Sequence, residues 1–378
     1  MKITFVMASG FSLAGGDRAI AIYAKRLQER GHEVFVISRA KGRPSLRQQV
    51  RSLLKGQGWI SVAKNEPSHF DGLDVPRRVT DRWRPVTDAD VPDGDVVIAT
   101  WWETAEWVAN LSEAKGAKAY FLQHHEVFDY LPKERVAATW LLPMHKIVVC
   151  QWLADLARTQ YGDSNVSLVL YAVDTKQFYA PPRGKQSIPT VGMMYSQARW
   201  KGCDVSLRAF SLAAQRIPNL RLVAFGTEEN PLPELPLPPG TEYSCCPDQT
   251  TLKDIYSRCD AWLFGSRSEG FGMPILEAMA CRTPVIGTPT GVAPELLSNG
   301  AGMLVKPEDS EDMARAIERI CQLSDAEWRV ISNAAYTTVT QYTWDDATEL
   351  FEAGLYTAID RQKRGDFLSV DAPQHVSP

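Results

Sequence analysis

The sequence predicts an α/β protein of two domains, each built as a doubly wound parallel sheet covered by helices. The chain has 378 residues, which is long for a single hydrophobic core. Short apolar strands alternate with helical stretches in two successive series, and this alternation is typical of parallel sheets buried on both faces. We expect the two domains to face each other across a cleft, because ligands of such sheets bind beyond the carboxyl ends of the strands.

The first series begins at the N-terminus. A strand at 3–8 leads into a loop of small residues at 9–16, and the helix that follows at 17–30 ends at Gly31. Its apolar residues recur at helical spacing: Ile20, Tyr23, Ala24 and Leu27. Further strands are predicted at 33–37, 95–99, 119–122 and 146–150.

The second series begins after a break at 181–187, which has no periodicity and contains Pro181 and Pro182. Its strands are predicted at 190–194, 220–225, 261–264 and 284–287. We therefore place the N-terminal domain at 1–180, the C-terminal domain at 188–342 and a flexible tail at 363–378.

Composition excludes several classes of protein. The net charge of −4 argues against a nucleic-acid-binding chain. No apolar run approaches the roughly 20 residues of a membrane span, and the N-terminus resembles a buried strand rather than a signal peptide. The seven cysteines include no CxxC pair, so we expect free thiols in a reducing cytoplasm. No Asp-x-Asp pair follows a predicted strand, so we predict no obligatory metal.

The most informative segment is 266–280, which follows the strand at 261–264. Gly270 and Gly272 permit close approach of a ligand, and Pro274 suits the first turn of a helix. The amides at that helix start favour an anion, whereas Glu269 and Glu277 accept hydrogen bonds from hydroxyl groups. A ligand with both a diphosphate and polyols fits this combination, and a nucleotide sugar is such a ligand. The alternative is a strand–helix turn with two solvated glutamates.

Two other strand ends predict contacts with the same ligand. Arg199 and Lys201 follow the strand at 190–194 and can supply cations to a diphosphate. The segment 288–295 again joins a strand end to a helix start and is expected to border the same pocket. Taken alone, the first of these segments is also consistent with a surface loop that carries two solvated charges.

These residues resemble a family of retaining glycosyltransferases with the GT-B fold, two facing Rossmann-like domains, which includes bacterial mannosyl-, glucosyl- and rhamnosyltransferases. The resemblance covers about residues 1–360, and its specific feature is the pair Glu269 and Glu277 around Gly-Phe-Gly. Lys201-Gly202 matches a phosphate-contacting lysine of that family. The aromatic residues Tyr342 and Trp344 resemble the start of a final helix that returns to the N-terminal domain, which we predict at 343–362.

The resemblance implies a role for each matching residue. Glu277 is expected to bind the ribose, Glu269 the hydroxyls of the transferred sugar, and Arg199 and Lys201 the diphosphate. Glu269, Lys201 and Arg199 are also expected to take part in catalysis. Backbone near 243–246 is expected to recognise the base. The donor-binding candidates are Gly16, Arg199, Lys201, Glu269, Gly270, Phe271, Gly272 and Glu277.

One departure from the family concerns its usual arginine, which directly follows the glycine of the first strand in the second domain. Here Met193 occupies that position and the arginine comes later, as Arg199. The longer loop at 195–200, with Gln123 and Glu126, is most similar to the rhamnosyltransferase-type members.

Aromatic and polar residues at two strand ends of the first domain predict the acceptor side and further catalytic groups. Aromatic rings stack on sugar faces, and histidine or glutamate can orient a hydroxyl. A histidine at this position contacts the donor sugar in the family, and the sequence does not distinguish His124 from His125. The acceptor-side candidates are Trp101, Trp102, Glu103 and Glu126.

A basic amphipathic segment lies between 39 and 59. Its cations recur every four residues, at Arg43, Arg47, Arg51 and Lys55. Its apolar residues lie on a neighbouring face: Leu46, Val50, Leu53 and Leu54. This pattern is consistent either with attachment to the anionic inner surface of a membrane, where a lipid-linked acceptor resides, or with a helix packed on the sheet with a solvated basic edge.

The sequence therefore predicts transfer of a sugar from a nucleoside diphosphate to a glycan or lipid-linked acceptor with retained configuration, in cell-surface polysaccharide synthesis. A rhamnosyl- or mannosyltransferase is the expected type. Two alternatives stay open, an inactive nucleotide-sugar-binding scaffold and a GT-B-fold sugar-nucleotide epimerase. A dinucleotide-dependent dehydrogenase is disfavoured because the loop at 9–16 lacks GxGxxG.

Overall fold

The computed structural model describes residues 1–42, 46–54 and 67–367. The described chain forms two compact units. The first unit comprises Met1–Val169 and the chain from Thr348 onward, and the second comprises Leu170–Ala347. Each unit contains one parallel sheet, so the α/β class with two Rossmann-like domains is confirmed.

The elements of the first unit alternate as the sequence predicts. In chain order they are β1 (Lys2–Met7), α1 (Gly15–Glu29), β2 (Glu33–Ser38), α2 (Leu46–Leu54), β3 (Arg77–Val79), β4 (Val96–Ala99), α3 (Trp102–Ala109), β5 (Ala117–Leu122), α4 (Lys133–Thr139), β6 (His145–Val148), α5 (Gln151–Tyr161) and β7 (Ser167–Leu168).

The second unit repeats this alternation. Its elements are β8 (Thr190–Met194), α6 (Cys203–Ala214), β9 (Arg221–Gly226), β10 (Glu242–Cys245), α7 (Leu252–Ser257), β11 (Ala261–Phe264), α8 (Met273–Ala280), β12 (Val285–Gly287), α9 (Ala293–Leu297), β13 (Gly302–Leu304), α10 (Ser310–Gln322), α11 (Asp325–Thr340) and α12 (Trp344–Arg364), whose residues from Thr348 belong to the first unit.

The first six strands of each sheet have the same order, and the first sheet has a seventh strand at one edge. Within the described residues the first sheet runs β3-β2-β1-β4-β5-β6-β7 and the second runs β10-β9-β8-β11-β12-β13. The order reverses beside the first strand of each sheet, between β1 and β4 and between β8 and β11. In doubly wound sheets a ligand crevice opens at the carboxyl ends of the two strands that flank this reversal.

The final helix packs on the first unit through aromatic residues. The ring of Phe351 in α12 stacks on Tyr23 with a centroid separation of 4.2 Å and meets Phe121 edge-on at 5.1 Å. Phe5 of β1 lies at 6.1 Å from the same ring. Burial of these rings stabilises the attachment of α12 to the sheet. The predicted final helix at 343–362 coincides with α12, and residues 368–378 of the predicted tail lie outside the described residues.

The edge strands and the segment 181–187 differ from the sequence expectation. Strands β3, β7, β10 and β13 lack a fully buried run, so no apolar pattern signals them. The segment 181–187 lies inside the second unit, and the change of unit falls at 169–170. There the Arg183 guanidinium donates to the carbonyl of Cys259 at 2.5 Å and to the hydroxyl of Thr283 at 2.8 Å.

Candidate functional site

Apart from Glu277 on α8, the predicted site residues of the second unit lie on the loops that follow β8 and β11. These are the two strands that flank the reversal of strand order in the second sheet. Lys201 belongs to a short helical turn, Arg199–Lys201, after β8, and Glu269 follows β11. The topology therefore brings together two residues that are 68 positions apart in sequence.

A glycine allows the two loops to approach. Gly202 has φ +58°, and a Cβ atom at this position would lie 1.8 Å from the carbonyl oxygen of Gly265. No other residue fits at this distance, and the left-handed backbone is also unfavourable for a side chain. The lysine before this glycine is thereby held beside the loop that carries Glu269.

Lys201 and Glu269 form an ion pair at this crossing. The Lys201 Nζ donates to Glu269 Oε1 at 2.8 Å and to Oε2 at 3.1 Å. The hydroxyl of Ser266 donates to Oε1 at 2.7 Å. The Glu269 side chain is 10% exposed and that of Lys201 is 24% exposed, so the cation lies on the solvent side of a largely buried carboxylate.

The glycine turn 270–272 connects Glu269 to helix α8. Gly272 has φ +101° and precedes the first residue of α8, with Pro274 in its first turn. The neighbouring segment 288–295 lies against this turn, because the amide of Val292 donates to the Phe271 carbonyl at 2.7 Å. Gly291 has φ +58°, and a Cβ there would lie 2.1 Å from the same carbonyl. Gly270 and Phe271 are buried, and the helix start is pressed against the loop after β12.

Glu277 lies on α8 and is 7% exposed. Its Oε2 accepts a hydrogen bond from the Tyr256 hydroxyl of α7 at 2.8 Å. A buried carboxylate needs hydrogen-bond donors to offset its desolvation. Tyr256 is fully buried and therefore fixes the orientation of this carboxylate.

Arg199 is exposed, and in the described part of the chain its guanidinium forms no hydrogen bond or ion pair. A residue that the sequence did not single out, Arg267, braces the turn instead. Its guanidinium donates to the Arg199 carbonyl at 2.7 Å and to both carboxylate oxygens of Asp204 at 2.8 Å. The sequence signal for Arg267 was its position near Glu269 in the segment 266–280. Its partners Arg199 and Asp204 are distant in sequence and leave no local pattern.

At the equivalent edge of the first unit, Glu126 is the most constrained residue. It has φ +63° and is 2% exposed. Its Oε2 accepts a hydrogen bond from the backbone amide of Trp102, the first residue of α3, at 2.9 Å. Burial raises the pKa of the Glu126 carboxyl well above its usual range. Glu126 thus holds the loop after β5 to the start of α3, and the Trp102 indole is itself buried.

The two histidines before Glu126 have different surroundings. The His125 Nε2 pairs with the Tyr161 hydroxyl at 2.7 Å, and its ring meets Trp140 edge-on at 5.5 Å. Burial lowers the pKa of His125, so it is neutral at pH 7. The His124 Nδ1 accepts the Glu126 amide at 3.1 Å, which leaves the proton of a neutral His124 on Nε2.

Glu103 is bound within the first unit by Arg39. Two parallel hydrogen bonds of 2.9 and 2.8 Å join the Arg39 guanidinium to the Glu103 carboxylate. The guanidinium lies 4.8 Å from the ring centroids of both Trp83 and Trp107. Trp101, by contrast, is partly exposed directly before α3. Glu103 therefore has a structural partner that the sequence did not indicate.

Gly16 lies in the first turn of α1. A Cβ at Gly16 would lie 3.3 Å from both polar atoms of the Gln123 side-chain amide, which is a tight contact. A glycine thus permits the start of α1 to approach the residue that follows β5.

Helix α2 exposes its apolar side chains. Two polar residues, Gln49 and Ser52, are buried instead. The exposed fractions are 80% for Leu46, 53% for Val50, 50% for Leu53 and 84% for Leu54. Arg47 and Arg51 are also exposed, whereas Arg43 and Lys55 lie outside the described residues.

Within the described ranges, no group of three or more His, Cys, Asp or Glu side chains could hold a metal ion. Among the helices of those ranges, none combines the length and apolar character that crossing a bilayer requires.

Comparison with known sequences identifies the second unit. The family described as "Glycosyl transferases group 1" matches residues 177–337. The D-inositol 3-phosphate glycosyltransferases of Mycobacterium bovis and Mycobacterium tuberculosis are 27% identical over 201 residues. That match covers 47% of this chain and 41% of each relative. The chain thus matches less than half of the length of these relatives.

Comparison with solved structures covers nearly the whole chain. Sucrose-phosphate synthase from Thermosynechococcus elongatus superposes with a TM-score of 0.70 at 16% identity, over 96% of this chain and 100% of that one. HepE from Anabaena, in complex with UDP and glucose, superposes with a TM-score of 0.71 at 17% identity, over 94% and 100%. Residues 177–337 of the second unit thus match the group 1 glycosyltransferases, and the chain as a whole has the two-domain GT-B fold.

Proposed function

We propose that this protein transfers a sugar from a nucleoside-diphosphate sugar to a glycan or lipid-linked acceptor, with retention of anomeric configuration. The observation that carries the proposal is the Lys201–Glu269 pair at the strand reversal of the second sheet, beside a glycine turn that opens a helix. A cation, a helix start and a buried carboxylate at one edge match a ligand with both diphosphate and sugar hydroxyls.

The ion pair is the contact that the donor rearranges. Lys201 is more exposed than Glu269, so an entering diphosphate reaches the ammonium group first. Once Lys201 interacts with phosphate oxygens, the carboxylate of Glu269 accepts hydrogen bonds from the hydroxyls of the transferred sugar. Ser266 keeps its hydrogen bond to Glu269 throughout and holds the carboxylate in place.

Glu277 binds the ribose in this proposal. The Tyr256 hydroxyl orients the Glu277 carboxylate through Oε2, which prepares it to accept the ribose hydroxyls. The turn of α8 between Glu269 and Glu277 separates the sugar end of the donor from its nucleoside end. Backbone near 243–246, at the end of β10, recognises the base.

Charge on the leaving diphosphate is stabilised by Lys201, by Arg199 and by the amides of Phe271 and Gly272. As the glycosidic bond breaks, negative charge accumulates on the β-phosphate, and positioned donors stabilise it strongly in a site that excludes water. Met193 is buried with 1% exposure and lacks a charge, so it cannot supply the cation usual at its position. Arg199 is exposed and can turn toward the phosphates, which supports its assignment.

The first unit supplies the acceptor side. His124 carries its proton on Nε2 when neutral and is our candidate for contact with the transferred sugar, whereas His125 orients within the cluster of Trp140 and Tyr161. Trp101 is the available stacking surface. Glu126 holds the loop after β5 to the start of α3 through its hydrogen bond with the Trp102 amide.

The exposed apolar face of α2 supports contact with a membrane surface. Four apolar side chains that face solvent, with Arg47 and Arg51 beside them, suit the interface of an anionic bilayer. A lipid-linked acceptor resides in such a bilayer. Sedimentation with vesicles that contain phosphatidylglycerol is expected to bring the protein down. The variant Leu46→Ser with Leu54→Ser is expected to stay in solution, and sedimentation of both proteins alike would contradict the membrane role.

The donor is tested first with nucleotides. Thermal unfolding is followed with UDP, GDP, dTDP and ADP, with and without Mg²⁺, and UDP leads because HepE binds it. A ligand at 100 times its dissociation constant adds about 2.7 kcal/mol to the free energy of unfolding. We expect one diphosphate to stabilise the protein without metal and Glu277→Ala to lose most of that effect. No stabilisation by any nucleotide would contradict the donor site.

Turnover then separates transfer from the two alternatives. Sugar conjugates of the stabilising nucleotide, with rhamnosyl, mannosyl and glucosyl donors included, are incubated with candidate glycan and lipid-linked acceptors. Release of nucleoside diphosphate with a glycosylated product supports a transferase, and the anomeric configuration of the product tests retention. Conversion to a different sugar nucleotide without an acceptor would indicate an epimerase, and binding without turnover would indicate a scaffold.

A further inference from the structure

Two adjacent thiols, Cys245 and Cys246, lie at the carboxyl end of β10. Cys245 and Cys246 are both exposed, and their sulfur atoms are 3.6 Å apart. The backbone of Cys246 has φ +46°, a conformation that side chains rarely adopt. The two side chains of this sharp turn consequently point to the same side, which adjacent residues of a strand do not do.

The other thiols differ in their accessibility. Cys150, Cys203, Cys259 and Cys281 are buried. Burial raises the pKa of Cys259 and of Cys281 to about 12 and that of Cys203 to about 11. Buried thiols are poorly accessible to oxidants. The pair at the end of β10 is thus the exposed dithiol of the described chain.

The pair is connected to the donor-site loop by short contacts. The amide of Cys246 donates to the Gly226 carbonyl at 2.7 Å. Two residues further along, the carboxylate of Glu228 accepts the amide of Gln197 at 3.1 Å, in the loop that carries Lys201. Strand β10 is separated from β8 by β9 alone, so its end lies roughly 10 Å from that of β8.

We propose that Cys245 and Cys246 are a redox modification site, at which a low-molecular-weight disulfide oxidises them to a vicinal disulfide and weakens nucleotide binding. The thiolate of one cysteine attacks the oxidant and releases one thiol. The second cysteine then displaces the other half of the oxidant as a second thiol. The protein loses two hydrogens, one S–S bond forms, and the oxidant is reduced to two thiols.

The geometry makes this disulfide reversible. A disulfide needs sulfur atoms about 2.05 Å apart, so the pair closes by roughly 1.5 Å. The Cα atoms of adjacent residues are about 3.8 Å apart, less than the usual span of a disulfide. The resulting ring is strained, and strained disulfides are readily reduced. The closure displaces the backbone at 245–246, which is the segment assigned to the base.

The effect on binding rests on the proposed function, whereas the modification itself does not. The reduced protein is treated with oxidised glutathione, the remaining thiols are alkylated, and the protein is digested with trypsin. Residues 222–253 form one peptide that contains both cysteines and no other. We expect the mass of this peptide to be two hydrogens below that of its reduced, unalkylated form and to return to that value after dithiothreitol. We also expect about a tenfold loss of affinity for the diphosphate that stabilises the reduced protein most, equivalent to loss of one good hydrogen bond.

The double variant Cys245→Ser with Cys246→Ser is the matched control and is expected to bind the nucleotide equally before and after oxidant. Cys321→Ser is expected to respond like the wild type. A peptide that keeps two alkylated thiols, or that carries two glutathione adducts, would overturn the modification site. A disulfide that forms without change in affinity would overturn its effect on the donor. If the reduced protein binds no nucleotide, the donor assignment fails, and the peptide mass still decides the fate of the thiols.

Discussion

The two units share the order of their first six strands, yet the residues at their strand reversals differ in kind. In the second unit the edge carries an ion pair, Lys201 with Glu269, beside a glycine-rich turn. In the first unit the edge carries aromatic rings, two histidines and Glu126, whose carboxyl is buried beside a helix start. The sheet therefore determines where a ligand binds, and the loop residues determine which chemistry it has.

The two edges also differ in the partners of their buried carboxylates. Glu269 has a cation at 2.8 Å, and in the proposed function a diphosphate takes over this cation. Glu126 forms no ion pair within the described residues and instead accepts one backbone amide. Arg39 forms the ion pair of the first edge with Glu103, and its guanidinium also contacts the indoles of Trp83 and Trp107. In this proposal the ion pair of the second-unit edge is exchanged for a ligand, whereas the contacts of the first-unit edge hold its loops in place.

The largest expected effect is on nucleotide affinity in Lys201→Met. Loss of the cation removes a charge-assisted contact to the diphosphate, so the dissociation constant is expected to rise by about 100-fold. Titration calorimetry with the stabilising diphosphate measures it. Lys176→Met, an exposed lysine of the same unit, is the matched control. Equal affinity in both variants would remove the distinction between the two edges.

Arg39→Met tests the edge of the first unit. This substitution removes the bidentate pair with Glu103 and the contacts with Trp83 and Trp107, and it leaves Glu103 without its partner. The free energy of unfolding is expected to fall by about 2 kcal/mol, measured by urea denaturation. Nucleotide affinity is expected to stay unchanged, because Arg39 and Glu103 lie outside the second-unit residues proposed to hold the nucleotide. A loss of affinity larger than the loss of stability would contradict a structural role.

Tyr256→Phe tests whether the Tyr256 hydroxyl orients Glu277 for the proposed contact with the ribose. It removes the hydroxyl that orients Glu277 and leaves the ring in place, so affinity is expected to fall by about fivefold, equivalent to ~1 kcal/mol. Tyr356→Phe, which is half exposed on α12, serves as the control in the same calorimetric titration. An unchanged affinity in Tyr256→Phe would mean that the carboxylate needs no orientation by α7.

The smallest effect concerns pH and Glu126. Because its pKa is raised in the folded state, the folded protein holds a proton that the unfolded chain releases above pH 4.5. The contribution of Glu126 to stability is therefore present at low pH and is lost as pH rises through the folded-state pKa. Glu126→Gln keeps an acceptor for the Trp102 amide and does not titrate.

The stability of Glu126→Gln relative to the wild type is expected to rise between pH 5 and pH 8. Urea denaturation at both pH values measures the difference. A relative stability that falls toward pH 8 would show that the Glu126 carboxylate is favourable where it is buried.

Sequence reasoning predicts what depends on local pattern. The buried strands follow from apolar runs, and Glu269 and Glu277 follow from their place after β11 and in α8. Pairings between distant residues leave no local signal. The partners Lys201 and Glu269, or Tyr256 and Glu277, are brought together only by the tertiary fold.

The edge strands and α2 are elements whose burial does not follow from the local sequence pattern. Strand β10 is partly exposed, so it lacks the apolar run that marks a strand, yet it carries the thiol pair at its end. Helix α2 has an amphipathic pattern, but it buries Gln49 and Ser52 and exposes its leucines. Amphipathic periodicity predicts that a helix has two faces, and burial in the fold decides which face is covered.

Hydrogen exchange in the presence of the stabilising nucleoside diphosphate tests the central claim most directly, because it locates the ligand without an acceptor or turnover. Amide protection is predicted to increase in peptides that cover 195–202 and 265–277, and this increase is predicted to disappear in Lys201→Met. Peptides that cover the first-unit segment 99–103 are predicted to change less. Protection confined to the first unit, or equal protection in Lys201→Met, would contradict a donor site at the strand reversal of the second sheet.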